Sequence, residues 1–159
     1  MITKDQFIAS MLHETSVIKH LFTKIPDTAF DYKPTEGQRS TLELLQYLAF
    51  VGTTAIDFFN GNASAFENFD AKKQTVTREN FLETFTAEEM KIKELLDAMT
   101  EEQLMEEATA FGMTSPRAIH LFNILKWLVA YKMQLFLYIK ANGVTDIGTP
   151  NLWGGKDAN

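Results

Sequence analysis

The sequence contains no cysteine and only three histidines among its 159 residues. The absence of cysteine excludes disulfides, thiolate catalysis, iron–sulfur clusters and cysteine-based zinc sites. Histidine is the usual general base and a common metal ligand, so most remaining chemistry would depend on three side chains. These are His13, His20 and His120.

Positive charge is also scarce. The chain has 15 Lys and Arg against 21 Asp and Glu, which gives a formal net charge of −6 and a pI near 5.1. A protein whose main partner is a nucleic acid needs a basic surface to neutralise phosphates, so we expect no nucleic-acid partner. With 45% hydrophobic residues, the length is that of one compact domain over residues 1–159.

The N-terminus lacks the apolar core and cleavage site of a secretory signal, so we expect a cytoplasmic protein. The stretch 121–139 is long enough to cross a bilayer. However, it contains Lys126 and Lys132, and each lysine near mid-membrane would cost roughly 2.5–3.5 kcal/mol. A buried helix of a soluble bundle is therefore the better interpretation, and no membrane partner is expected.

Apolar residues that recur every three or four positions predict four long helices. Thr3 with Gln6, and Ser40 with Glu43, have the spacing of capping boxes at the start of the first two. The predicted helices cover residues 3–24, 40–59, 77–99 and 115–142, and a short turn follows Thr100 through Leu104.

The third predicted helix is acidic, whereas the fourth contains no acidic residue. We expect the acidic residues to form a solvated face and the two helices to attract each other. Ser115 and Pro116 are predicted to cap the fourth helix, and Gly143 to end it. Lys126 and Lys132 are expected to reach the surface or to pair with the third helix.

The connections predict the topology. Short loops join antiparallel neighbours, whereas a long link can cross the end of a bundle. The link over 60–74 is long, so we expect an all-α four-helix bundle with a crossover between helices two and three. The tail, residues 144–159, contains too much glycine and proline for helix, and Leu152 and Trp153 are expected to pack it onto the bundle.

Catalytic motifs are absent from the sequence. There is no GxGxxG after a strand, no HExxH and no GxSxG. The histidines do not form a metal site by spacing, because His13 and His20 lie seven residues apart and thus about 10 Å along one helix. His120 lies near a helix N-terminus, which disfavours its protonated form, so any role would use the neutral imidazole.

Three segments together resemble the DinB-like family of four-helix bundles. They are FDYKPTEGQRSTLELLQYLAF (30–50), NILKWLVAYKMQLFLYIKANG (123–143) and the terminal NLWGG. The most specific part, YKMQLFLYIKANG, is similar to the family signature HRxQLxxYLxxxG. The matching residues are Lys132, Gln134, Leu135, Tyr138 and Gly143.

Many family members bind a divalent metal through one histidine on helix two and an H-x-x-x-H pair on the last helix. That arrangement leaves positions open for hydrolysis or thiol transfer. Carried over by the resemblance, the three ligand positions are Tyr47, Trp127 and Tyr131. An indole cannot ligate a metal and a phenol loses its proton only near pH 10, so no metal and no cofactor are expected here.

An aromatic cluster would then replace the metal site. Two interpretations remain open: the rings fill the volume of the core, or they line an apolar pocket with a few polar groups. The polar residues expected near the cluster are Glu43, Gln46, Asn123, Gln134, His20 and His120.

We therefore expect a binding protein rather than a metalloenzyme. Its partner would be a small apolar molecule, or a second copy in a homodimer, which is an expectation from the family. One alternative is a metal-independent transferase or hydrolase that uses the Tyr47, Trp127 and Tyr131 pocket. A second is a divalent metal held by His13, His20 or His120 with carboxylates.

Overall fold

The structure, a computed structural model, describes residues 2–158 as seven α-helices and one short hairpin. Their bounds are α1 (Lys4–Phe22), α2 (Thr41–Phe59), α3 (Phe69–Gln74), α4 (Phe81–Asp97), α5 (Glu101–Met105), β1 (Glu107–Ala110), β2 (Met113–Pro116), α6 (Arg117–Ala141) and α7 (Thr149–Gly154). The four long helices α1, α2, α4 and α6 are the four that the periodicity predicts. The all-α prediction is confirmed.

Capping chemistry sets where the helices begin. The predicted capping boxes open α1 and α2, and a third, from Thr100 with Gln103, opens α5. The third long helix begins at Phe81 rather than at residue 77. The cause is Asn80, whose side chain accepts from the Thr77 N–H (2.7 Å) and donates to the Thr75 carbonyl (2.9 Å), which forms a turn.

The long helices are ordered so that α1 and α2 lie on one diagonal of the bundle, since each packs against both α4 and α6. Helices α2 and α4 run parallel: Gln46 contacts the Val76 carbonyl, and further along both helices Thr53 contacts Glu88. The link 60–80 therefore returns along the bundle, and the predicted crossover is confirmed. The order is up-down-down-up.

This arrangement overturns the expected attraction between the third and fourth long helices. Because α4 and α6 lie on opposite corners, the acidic residues of α4 meet α1 instead. Lys19 pairs with Glu89, and Lys4 donates to the Asp97 carbonyl (2.9 Å). The acidic face is also not solvated throughout, since Glu88 is buried and accepts a hydrogen bond from Thr53 (2.6 Å).

Three short elements were not predicted. Helix α3 lies within the long link, and the hairpin of β1 and β2 precedes α6. Ser115, predicted as a helix cap, lies in β2, and no side chain caps α6. The tail prediction is wrong for part of its length, because α7 forms with a proline in its first turn and Gly155 in a left-handed conformation at its end.

The tail packs onto α1 and α6. Leu152 is buried, and a Cβ on Gly155 would lie only 3.3 Å from a Val17 methyl group. Trp153 is 57% exposed, and its backbone carbonyl accepts from the His13 ring (2.7 Å). The expectation that Leu152 anchors the tail is confirmed, whereas the Trp153 ring stays largely outside.

The expectation for Lys132 is wrong. Its side chain is buried and forms an ion pair with buried Glu14 of α1 (2.6 Å), beneath the ring of Trp153 (4.9 Å). Helix α6 turns this position toward α1, where the apolar neighbours lower the dielectric and strengthen the pairing. Lys126, in contrast, is exposed as expected and contacts only Asn123 (3.2 Å).

Among the described residues, α2 is the one helix long and apolar enough to cross a membrane, and 67% of its most apolar window is buried in the bundle. The stretch 121–139, which lies in α6 and is long enough to cross a bilayer, is not apolar enough to count as a membrane span. Such burial is typical of the core helix of a soluble protein.

The Glu14–Lys132 pair gives a stability test. Lys132→Met should lower the free energy of unfolding by about 3–5 kcal/mol, because it leaves the Glu14 charge buried without a partner. The double variant Glu14→Leu with Lys132→Met should recover most of that loss. Denaturant unfolding measures both. Lys126→Met, at an exposed position, is the control and should change stability by less than about 0.5 kcal/mol. Equal losses of stability in K132M and K126M would contradict the buried Glu14–Lys132 pair.

Candidate functional site

Two of the three aromatic residues at the family's ligand positions form a direct pair. The Tyr47 and Tyr131 rings lie 4.9 Å apart between centroids in an edge-to-face arrangement. Phe69 of α3 packs against Tyr47 from the other side (5.8 Å), and the Arg39 guanidinium stacks over the Tyr47 ring (4.2 Å). The Tyr47 ring is thus packed by three side chains of the protein, whereas both tyrosines stay partly exposed.

This packing keeps the phenol of Tyr47 protonated. Burial raises the pKa of Tyr47 to about 12, and the neighbouring Tyr131 hydroxyl adds to the increase, while the positive charge of Arg39 opposes it. At neutral pH Tyr47 is therefore a neutral hydrogen-bonding group and not a phenolate.

These residues do not fit the divalent metal of the family. Trp127 offers an N–H donor and no lone pair, and Tyr47 holds its proton. The Arg39 guanidinium also brings a positive charge to within 4.2 Å of the Tyr47 ring centre and 5.8 Å of the Tyr131 ring centre. A second cation at this place would be repelled.

Trp127 belongs to a neighbouring group of rings rather than to the tyrosine pair. Its ring meets Phe111 of the hairpin (6.1 Å), which in turn meets Phe66 (5.9 Å). An open cleft of about 200 Å³ lies beside it. We call this space the aromatic cleft; its lining residues are Phe59, Ala110, Phe111, Met113, His120, Asn123 and Trp127.

The hairpin tip places Phe111 over the cleft at a cost in backbone strain. Ala110 pairs with Met113, so Phe111 and Gly112 form a two-residue turn, and both have positive φ (52° and 77°). Glycine tolerates this conformation, but a bulky residue does not favour it. The Phe111 ring offsets part of the cost by stacking on Phe58 (5.5 Å). Such strain is typical of residues held for a purpose other than folding.

His120 is buried at the back of the cleft. Its ring stacks on Phe59 (4.7 Å), and its Nε2 donates to the Ala108 carbonyl of β1 (2.9 Å). In the neutral form this leaves Nδ1 as a possible acceptor. His120 and Tyr131 are eleven residues apart on α6, about 16 Å along the helix, so His120 belongs to the cleft and not to the tyrosine pair.

The other polar residues expected near the cluster have separate roles, apart from Asn123, which lines the cleft. Glu43 caps α2 and pairs with Lys33 (3.0 Å). Gln46 donates to the Val76 carbonyl (2.9 Å), which ties α2 to the start of α4. Gln134 donates to the Tyr138 hydroxyl (2.5 Å).

His20 lies in the contact between α1 and the tail. Its Nε2 accepts from the Asn151 amide (3.1 Å) and lies 3.7 Å from a carboxylate oxygen of Asp157. Burial lowers the pKa of His20, and the charge of Lys24 adds to this, although Asp157 opposes it. The prediction that His20 neighbours the aromatic cluster finds no support in these contacts.

Within residues 2–158, no three His, Asp or Glu side chains are grouped closely enough to hold a metal ion. His13 and His20 are engaged with the tail, and His120 with β1. The alternative of a metal at these histidines therefore has no supporting cluster in the described part of the chain.

Sequence reasoning missed Arg39, Phe111 and the two rings of the link, Phe66 and Phe69. The available signals were weak: Phe111-Gly112 between threonine-containing segments resembles a hairpin turn, and the chain has 13 phenylalanines in total. Neither signal says which rings meet, because the contacts join segments far apart in sequence.

The parallel crossover and the diagonal placement of α1 and α2 define a class of all-α four-helix bundle. Solved structures of DinB-like proteins share it. YjoA from Bacillus subtilis is 26% identical, with a TM-score of 0.75 over 91% of this chain and 96% of that one.

A DinB-like protein from Bacillus cereus shares the fold at 14% identity, with a TM-score of 0.72 over 91% of this chain and 96% of that one. No protein-family profile and no curated protein matches the sequence. The fold of this chain is therefore that of the DinB-like proteins, as the sequence resemblance predicts.

The environment of His20 predicts a dependence of stability on pH. Because burial lowers the pKa of His20, the unfolded chain binds more protons at this residue than the folded one just below pH 6.5. The free energy of unfolding should therefore decrease as the pH falls from 7 to 5. Asp157 does not mask this, because its own pKa is lowered by Lys24 and it loses its charge only at more acid pH.

Urea unfolding at pH 7, 6 and 5 measures the effect. His20→Gln should reduce the slope of the free energy of unfolding against pH. The control variant His13→Gln should retain the contribution of His20 to that slope. Identical slopes in wild type and H20Q would contradict the assignment.

Proposed function

We propose that this DinB-like protein binds a small, largely apolar molecule in the aromatic cleft and does not use the metal-dependent chemistry of its family. The observation that carries the proposal is the open cleft of about 200 Å³ beside Trp127. A buried apolar cavity of on the order of 150 Å³ accepts benzene, so this volume suits a ligand with one aromatic ring.

The lining supports the same ligand class. Phe59, Phe111 and Trp127 offer apolar faces, while His120 and Asn123 supply a small number of polar atoms. Apolar walls with a few polar groups are characteristic of small-molecule sites. The tyrosine pair beside the cleft is packed instead, so the two interpretations of the aromatic cluster apply to different parts of it: filled core at Tyr47, and open space at Trp127.

The metal-independent enzyme is the weaker candidate. It needs an acid and a base close together, and the tyrosine pair has no histidine among its contacts within the described residues. His120 is instead about a 16 Å helix length from Tyr131. We favour a binding role in the cytoplasm, with no nucleic acid as partner, because the charge of −6 argues against phosphate binding.

Binding of benzamide, a neutral one-ring compound, tests the cleft. The indole N–H signal of Trp127 in a proton–nitrogen NMR spectrum should shift on titration, and binding should survive treatment with a chelator. Trp127→Ala lacks the reporting indole, so its affinity is measured by isothermal titration calorimetry. It should bind about tenfold more weakly, since loss of an aromatic face removes about 1.5 kcal/mol. Trp153→Ala, on the exposed tail, is the matched control and should bind normally. No saturable shift of Trp127 in the wild type would overturn the proposal.

Self-association into a homodimer is a second proposal, supported by the outer face of α6. Four large apolar side chains lie exposed within about 60° of its circumference, at 100° per residue. They are Ile119 (48% exposed), Phe122 (48%), Met133 (38%) and Leu137 (55%). These side chains form an apolar stripe that the exposed Lys126 interrupts. Exposed apolar side chains grouped on one face mark an interaction surface, and a two-fold axis would bring this face against itself.

Sedimentation at tens of micromolar tests the homodimer. The wild type should sediment as a dimer, and the double variant Phe122→Glu with Leu137→Glu as a monomer, because each charge would be buried in the interface without a partner. Met90→Glu is the control, since Met90 is also exposed (69%) but lies on α4. A monomeric wild type would refute the dimer and leave the ligand proposal unaffected.

A further inference from the structure

Arg39 differs from the other two arginines of the chain. Arg78 pairs with Asp27, and Arg117 pairs with Glu106 (2.8 Å). Within the described residues, the half-buried Arg39 side chain has neither a carboxylate partner nor a hydrogen-bond acceptor. A guanidinium carries five N–H donors in a planar fork, so Arg39 offers donors that the protein itself does not use.

The position of Arg39 is held by α6. The Tyr138 hydroxyl donates to the Arg39 carbonyl (3.1 Å) and accepts from Gln134 (2.5 Å). The guanidinium is thereby held over the faces of Tyr47 and Tyr131, at 4.2 Å and 5.8 Å from the ring centres. A guanidinium that stacks by its face keeps the N–H groups at its edge free for another partner.

The two tyrosines add further donors. Both phenols stand beside the guanidinium, and Tyr47 keeps its proton at neutral pH. One positive charge beside two phenol groups, with no carboxylate paired to the guanidinium within the described residues, forms a set of groups that suits an oxygen anion. A carboxylate matches the fork of the guanidinium in shape and can take two parallel hydrogen bonds.

We propose that Arg39, Tyr47 and Tyr131 bind the carboxylate of a small organic acid whose ring lies against Trp127, at the edge of the aromatic cleft. The placement of the ring rests on the function proposed above. Trp127 of the cleft and Tyr131 are one helical turn apart, about 6 Å along α6, so one molecule of modest size reaches both. The positive charge that excludes a metal would thus select an anionic ligand.

Benzoate and benzamide, compared at constant ionic strength, test the proposal, because they share the ring and differ in charge. The Nε–Hε signals of the three arginines report on the carboxylate, and the Trp127 indole signal reports on the ring. Benzoate should shift the Arg39 signal saturably and bind about tenfold or more tightly than benzamide, the factor expected for a charged hydrogen bond. Arg78 is the internal control, since it also stacks on a ring, Phe30 (5.0 Å), but is paired.

Arg39→Gln should weaken benzoate binding about tenfold or more and leave benzamide binding unchanged. Arg78→Gln should change neither, and circular dichroism confirms that both variants fold. Benzoate that shifts Trp127 without shifting Arg39, or that binds R39Q as well as wild type, would overturn the carboxylate site. A shift of Arg39 with no response at Trp127 would support the carboxylate site and refute the apolar cleft. No response at either would refute both.

Discussion

The parallel alignment of α2 and α4 is the constraint on which the rest of the molecule depends. Helix α2 is about 28 Å long at 1.5 Å per residue, so a short loop from its end could only lead to an antiparallel neighbour. The link 60–80 instead brings the chain back over the outside of the bundle. In doing so it lays Phe66 and Phe69 against aromatic residues of α2 and against Phe111 of the hairpin.

That return also decides which charges meet. Because α4 and α6 lie on opposite corners of the bundle, the acidic side of α4 meets lysines of α1. The buried charge of α6 therefore has a partner on a helix other than α4. Lys132 pairs with Glu14, and the tail covers this pair with Trp153. A buried ion pair contributes little net stability because desolvation offsets its attraction, yet it penalises alternative packings strongly. Its effect here is to set how α1, α6 and α7 sit together.

The candidate site lies between α2 and α6, which the same helix order places side by side. The sequence resemblance implies metal-ligand positions between helix two and the last helix, and the residues at those positions here are two tyrosines and a tryptophan. Arg39, whose backbone carbonyl accepts a hydrogen bond from Tyr138, supplies the positive charge beside them, and the hairpin adds Phe111 at the open end. Strain at Phe111 and the unused donors of Arg39 are both features that folding alone does not require.

Local patterns in the sequence predict the four long helices, two of their capping boxes and the crossover, and the donor chemistry of single residues argues against metal ligands at positions 47, 127 and 131. These are local matters: spacing, caps and the donor chemistry of single residues. In contrast, three features depend on tertiary packing: Lys132 is buried, α7 forms, and Trp127 faces an open cleft while Tyr47 is packed. Arg39 stands within a polar segment in the sequence, and its role depends on Tyr138, 99 residues away. Contacts between such distant residues arise from packing, which no periodic pattern in the sequence records.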